Sequence, residues 1–90
     1  MIIIRDIRFS MQLLSILRYI AKDKKSAAVD FESELNQKIK DLVYFPLKYR
    51  PSFYFEDKAY RDMIYQSYTI IYKVEKEKIL ILEIFKWQNK

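Results

Sequence analysis

The sequence predicts an α+β domain of order β-α-α-β-β-β, in which a helical hairpin packs on one side of a small, curved, mainly antiparallel sheet. Two observations predict it. Apolar residues recur at helical spacing through the first half of the chain, and they alternate at strand spacing through the last third. The 90 residues make one domain, 1–90, with no internal repeat. Of these residues 51% are hydrophobic, enough for a core. A chain this short still buries only about 60–65% of the surface it exposes when unfolded.

Residues 1–5 carry the β-branched run Ile2-Ile3-Ile4, which reads as a short strand. Beyond it the period changes. From Ser10, a candidate N-cap, apolar residues fall at Leu13, Leu14, Ile16, Leu17, Ile20 and Ala21, the spacing of one helix face. The polar run Lys22-Asp23-Lys24-Lys25 interrupts that pattern and reads as a solvated link. A second helix starts near Ser26, another candidate N-cap. Ala28, Phe31, Leu35, Ile39 and Leu42 share one face of it, and Asp30, Glu32, Glu34, Gln37, Lys38 and Asp41 fill much of the other. Two helices joined this closely form an antiparallel hairpin, whose apolar faces need a third element to cover them.

Phe45-Pro46 ends the second helix, because the residue before a proline avoids the helical well. Residues 46–59 form a long connection rich in aromatic and charged side chains, with Arg50-Pro51 an extended segment within it. Connections of that length in small domains are often functional. The plainer reading has Tyr49, Phe53, Tyr54 and Phe55 capping the core. Three strands follow. Residues 61–66 form the first, Gln66-Ser67 a tight turn, and residues 68–75 the second, where Tyr68, Ile70, Tyr72 and Val74 alternate with Thr69, Ile71, Lys73 and Glu75. After a turn at 76–78, residues 79–86 form the last. Strict alternation there sets Leu80, Leu82 and Ile84 against the helices. It leaves Ile79, Ile81, Glu83 and Phe85 on a second, mostly apolar face that awaits a partner.

The missing residue types narrow the chemistry. With no cysteine and no histidine, disulfides, the usual zinc ligand sets and the Cys-His and Ser-His-Asp arrangements are excluded. With no glycine there is no phosphate-binding loop and no dinucleotide fingerprint. No cofactor and no metal are expected. The net charge of +5 favours an acidic partner, nucleic acid or protein, through long-range attraction. A lysine-rich solvated surface accounts for it equally. No segment reaches the ~18 apolar residues of a membrane span. The opening Met1-Ile2-Ile3-Ile4 is too short for a secretory signal, so a cytoplasmic protein without membrane contact is expected.

The candidate binding residues are Arg50, Arg61, Lys73, Lys86 and Trp87. Arg61, at a strand start, suits either an ion pair with a neighbouring carboxylate or a contact to a target. Lys73 and Lys86 suit solvated strand positions that discourage edge-to-edge pairing, or contacts to phosphate. Trp87 suits a flap over the core or, beside basic residues, a binding anchor. Glu83, among apolar neighbours, suits a salt bridge to Lys73 or Lys86. Tyr68 and Tyr72 suit packing within the sheet.

Taken in order, several segments resemble the RelE/ParE superfamily of bacterial toxins. They are Leu13-x-x-Ile16-x-x-Tyr19-Ile20-Ala21, then Ala28-x-x-Phe31-x-x-x-Leu35-x-x-x-Ile39-x-x-Leu42 with Phe45-Pro46 after it, then Arg50-Pro51, Arg61 opening a strand, and Tyr68-x-Ile70-Ile71-Tyr72-x-Val74. The resemblance spans nearly the whole chain. It implies the toxin of a type II toxin–antitoxin pair in the plasmid-stabilisation class, held silent in a hetero-oligomer by a cognate antitoxin. RelE-like members of the superfamily cut mRNA in the ribosomal A site. ParE-like members trap DNA gyrase in its DNA-cleaved state and are not nucleases.

In many RelE-like toxins an arginine follows the tyrosine of the Tyr-x-Ile/Val-x-Tyr strand, whereas here that position is the neutral Thr69. Those toxins also tend to carry a tyrosine or histidine near the C-terminus, where this chain reads Phe85-Lys86-Trp87-Gln88-Asn89-Lys90. Neither Trp87 nor the amides can act as acid or base near neutral pH. The resemblance therefore favours a gyrase-binding toxin that is not an enzyme. One alternative is a ribosome-dependent mRNA endonuclease with Arg61, Lys73 and Lys86 as its catalytic cations. The other is a non-toxic interaction module of the same fold.

Overall fold

The computed structural model describes residues 1–86. Strand β1 (Ile2–Arg5) leads into helices α1 (Ile7–Asp23) and α2 (Lys25–Asp41), followed by β2 (Arg50–Pro51), β3 (Tyr60–Tyr65), β4 (Tyr68–Val74) and β5 (Lys78–Lys86). The strands form one sheet of order β1-β5-β4-β3-β2. All neighbours are antiparallel except β1 and β5. The α+β class with a helical hairpin on a mainly antiparallel sheet is therefore observed, and the extended Arg50-Pro51 segment adds a short edge strand. Among the described residues no helix is long and apolar enough to cross a membrane.

The first helix starts earlier than its hydrophobic spacing predicts. Asp6, not Ser10, is the N-cap, and its carboxylate accepts the Arg8 backbone N–H at 2.8 Å. The Asp6 N–H in turn donates to the Ile81 carbonyl at 2.8 Å, so the reversal from β1 into α1 is pinned to β5. Aspartate is among the best N-cap residues, and at this position it outcompetes a serine one turn later. The earlier start brings Phe9 into the core, where it is fully buried. The link between the helices shrinks to Lys24, whose extended backbone ends α1 and precedes α2. Ser26 therefore lies inside α2 and caps nothing.

The predicted face of α2 is the buried one: Ala28, Phe31, Leu35 and Ile39, with Leu42 just beyond the helix end, are all in the core. They pack with Phe9 and Leu13 of α1 against Met63, Tyr65, Ile70, Tyr72, Ile79, Ile81 and Ile84 of the sheet. Full burial of a side chain such as Leu35 contributes about 2 kcal/mol.

The alternation predicted for β5 fails, because the register slips. Ile71 pairs with Glu83 but the next residue, Tyr72, pairs with Ile81, leaving Leu82 as the extra residue of a β-bulge. The bulge switches the inward face, so Ile79 and Ile81 before it and Ile84 after it all face the core, and Leu80 and Leu82 do not.

The opposite face of the sheet is partly closed as well. The segment after β2 crosses it, held by Ser52 N–H to the Tyr60 carbonyl at 2.9 Å and Phe53 N–H to Asp62 Oδ2 at 3.0 Å, with the Tyr54 ring edge-on to Phe85. Asp62, Thr69 and Ile71 are buried on this side. The open face expected from sequence thus shrinks to Ile64 on β3 and to the β1 flank, where Ile2 and Ile4 stay exposed. Of the aromatic residues expected to cap the core, only Tyr49 packs against it, and Phe53, Tyr54 and Phe55 are exposed.

Candidate interaction surface

Residues paired across neighbouring strands share a face, so the register places each candidate. Arg61 pairs with Tyr72 and lies on the helix-bearing face. Its Nε donates to the Lys58 carbonyl and its Nη1 to the Tyr49 carbonyl, each at 3.0 Å. The guanidinium therefore clamps the connection to the sheet through backbone carbonyls, and among the described residues it forms no ion pair. Lys73 pairs with Tyr60 on the opposite face, with its ammonium 5.2 Å from that ring's centre. Lys86 pairs with Tyr68, five residues back along β4 from Lys73. That is about 17 Å of strand. Lys86 is exposed at the mouth of a groove lined by Gln12, Ser15, Tyr19 and Tyr68. Trp87 lies outside the described residues.

Thr69, the neutral residue at the position where many RelE-like toxins carry an arginine, is 0% exposed, between Ile64 and Phe85 in the sheet. It presents no group to a ligand. Among the described residues Arg50 is the one candidate in an ion pair: its Nη2 lies 3.5 Å from Asp62 Oδ2, and its guanidinium stacks 3.9 Å from the Phe53 ring centre. Glu83 forms no salt bridge among the described residues. The structure thus brings Arg50 and Arg61 to one end of the sheet around residues 49–62, and it does not bring Lys73 and Lys86 together with Arg61.

Two buried tyrosine hydroxyls hold their protons more tightly than a free phenol. Tyr72 is pushed up to about 12, mainly by burial, and its hydroxyl donates to the Pro46 carbonyl at 2.8 Å. Tyr65 is also pushed up to about 12, by burial first and then by its hydrogen bond to the Glu34 carboxylate. Both stay protonated at physiological pH, so neither serves as a general base there.

Two exposed surfaces escaped the sequence reading. On α1, Ile7, Met11 and Leu14 recur at i, i+4 and i+7 along the outer side, flanked by the exposed Arg8 and Arg18. Starting the helix at Ser10 hides this stripe, and recognising Asp6 as the cap exposes it. After α2, Tyr44, Phe45 and Leu47 project into solvent beside Lys48, and Phe53 projects farther along.

A family model described as the ParE toxin of the type II toxin–antitoxin system parDE matches residues 5–88. Among solved structures, a chain of the chromosomal ParDE toxin–antitoxin system from P. aeruginosa superposes with a TM-score of 0.78 at 19% identity, covering 98% of this chain and 97% of that one. At that identity the likeness is one of fold. No curated protein sequence matches.

Proposed function

The chain belongs to the ParE toxin family of type II toxin–antitoxin systems, and from that premise we propose that it acts in the cytoplasm by binding DNA gyrase and stopping replication, and that a cognate antitoxin neutralises it. The observation that carries gyrase binding over RNA cleavage is the dispersal of the cations. Cleavage needs an acid, a base and positive charge within hydrogen-bond reach of one phosphodiester. Arg61 is committed to two carbonyls, Lys73 lies on the other face of the sheet, and Lys86 lies about 17 Å along it from Lys73.

The antitoxin reading is supported by the outer stripe of α1. Ile7, Met11 and Leu14, with Arg8 and Arg18 beside them, suit the apolar face of an acidic amphipathic helix. Such a partner is disordered when free and folds as it binds, and the basic charge of the toxin speeds the encounter.

The test is pulse-labelling of bacterial cells in the first minutes after induced expression, paired with a gyrase cleavage assay on purified protein. Thymidine incorporation is expected to fall before methionine incorporation, and cleaved DNA–gyrase complexes to accumulate. If methionine incorporation falls first, and ribosome-dependent mRNA cleavage is lost on Arg61→Ala or Lys86→Ala, the protein is a nuclease instead.

A further inference from the structure

Strand β5 is an inner strand for only half of its length. β1 pairs with it from Lys78 to Ile81, and the chain then leaves the sheet at Asp6 to begin α1. Beyond that point β4 covers one side of β5, and among the described residues no strand covers the other. Main-chain groups of a paired strand alternate in direction. The Ile81 carbonyl points towards β1, where it accepts the Asp6 N–H at 2.8 Å. After the bulge at Leu82 the Ile84 N–H points the same way, away from β4, and by alternation so do the main-chain groups of Lys86.

A side chain stands at this edge where a strand is missing. Gln12 of α1 reaches across, and its Oε1 accepts the Ile84 N–H at 2.8 Å. The amide oxygen thus takes the place of a neighbouring strand's carbonyl. Gln12, Ser15 and Tyr19 of α1 form one wall of a groove along the edge, and Tyr68, Ile84 and Lys86 form the other. Tyr19 is 69% exposed, and Ser15 and Lys86 are exposed as well. Among the described residues that line the groove, Lys86 carries the one charge and no carboxylate is present. A strand edge walled by a helix has the geometry that takes up an extended peptide as an added strand.

We propose that this groove takes an extended acidic segment of a partner protein as a sixth strand, paired with Ile84 and Lys86 of β5 in place of Gln12. The incoming main chain supplies the carbonyl that Gln12 now imitates. An acidic side chain of the segment meets Lys86, and an apolar one lies against Tyr19 and Tyr68. The lysine and the net charge of +5 select an acidic segment over a basic one. A second copy of this chain fits less well, because it carries the same charge and its own α1 stands over the same edge. The groove is separate from the outer stripe of Ile7, Met11 and Leu14, from which Ser15 and Tyr19 lie about 100° around the helix. The inference holds whether or not gyrase is the target.

The experiment is an NMR titration of the isotopically labelled full chain with a synthetic peptide of alternating valine and glutamate, about six residues long. Saturable shifts are expected, largest at the amides of Ile84 and Lys86, and the Lys86 amide is expected to gain protection from hydrogen exchange. Gln12→Ala clears the edge and is expected to tighten binding about 2- to 10-fold, the worth of one hydrogen bond. Lys86→Glu is expected to reverse the preference between this peptide and one of alternating valine and lysine. Lys76→Ala, at an exposed lysine in the turn before β5, is expected to change neither. The proposal is overturned if no saturable binding occurs at millimolar peptide, or if a peptide N-methylated along its main chain, or the valine-lysine peptide, binds the unmodified protein equally well. It is also overturned by shifts centred on Ile2–Arg5, which put the added strand on the outer edge of β1, or by shifts that grow with protein concentration alone, which make the occupant a second copy.

Discussion

Asp62 gives the sharpest test of how the exposed connection is held. Its side chain is 0% exposed. It accepts the Phe53 N–H at 3.0 Å and lies 3.5 Å from the Arg50 guanidinium. At an effective dielectric of about 20 the charge pair gains about 5 kcal/mol gross. Desolvating the carboxylate costs several kcal/mol, which cancels most of that gain. The net contribution then rests on the charge-assisted hydrogen bond, worth about 1.5–3 kcal/mol. Asp62→Ala removes the acceptor and strands both donors, although the Arg50 side chain, 37% exposed, can turn to water. The expected loss is about 2–3 kcal/mol, a large part of the roughly 5–13 kcal/mol available to a domain of this size. Asp62→Asn keeps an acceptor at nearly the same place and is expected to lose about 1 kcal/mol. Urea denaturation measures both, and hydrogen exchange at the Phe53 amide reports the local anchor separately from global unfolding. In a double-mutant cycle with Arg50→Ala the coupling is expected to stay below the loss from Asp62→Ala alone. If Asp62→Ala unfolds within 0.5 kcal/mol of the unmodified protein (about the scatter of ordinary surface substitutions), the carboxylate does not anchor the connection and the reasoning fails.

Two further expectations concern the sheet. Gln66 and Ser67 hold φ angles of 46° and 70° in the turn between β3 and β4, a conformation that costs a residue with a Cβ about 1 kcal/mol. Ser67→Gly is therefore expected to raise stability by up to about 1 kcal/mol in thermal or urea unfolding, and an unchanged midpoint would show that the turn is unstrained. In alkaline solution, Tyr65 and Tyr72, both held up at about 12, keep protons that the unfolded chain releases near pH 10. The stability they contribute is complete below pH 10 and is lost as pH rises toward 12, by as much as about 3 kcal/mol for Tyr72 alone. Tyr72→Phe is expected to lower stability by about 1 kcal/mol at neutral pH, because the Pro46 carbonyl loses its donor. It is also expected to flatten the decline between pH 10 and 12, which a series of urea titrations against pH would reveal.

The elements that sequence located well are those whose signal is local and repeated. Ala28, Phe31, Leu35, Ile39 and Leu42 mark a buried face because helical geometry alone puts them together. The start of α1 differs because Ser10 and Asp6 are both good caps by residue type, and the choice of Asp6 rests on its N–H reaching the Ile81 carbonyl of β5, a contact remote in sequence. The bulge at Leu82 was invisible, since a run of Ile and Leu reads the same with or without a slipped register. The covering of Thr69, Ile71 and Asp62 depends on a segment from elsewhere in the chain.

The same limits govern the site. Arg61 was recognisable as a basic residue at a strand start, but its partners are carbonyls at 49 and 58, set by a turn and a distant connection that no spacing rule encodes. The rings of the connection read from sequence either as a cap over the core or as part of a functional segment, and only Tyr49 takes the first role, because composition does not say which way a ring points.

The pairing of β1 with β5 has a consequence for synthesis. Ile2 meets Lys78 and Arg5 meets Ile81, so β1 has no partner until residues about 75 positions later emerge. At the usual 5–20 residues per second, the wait is about 4–15 s. During that interval α1 and α2 can form from local contacts, but the Asp6 N–H lacks the Ile81 carbonyl and the core lacks Ile79, Ile81 and Ile84. The finished toxin is therefore a late product of translation. A ribosome that stalls or a message cut short before β5 yields a chain without the completed sheet.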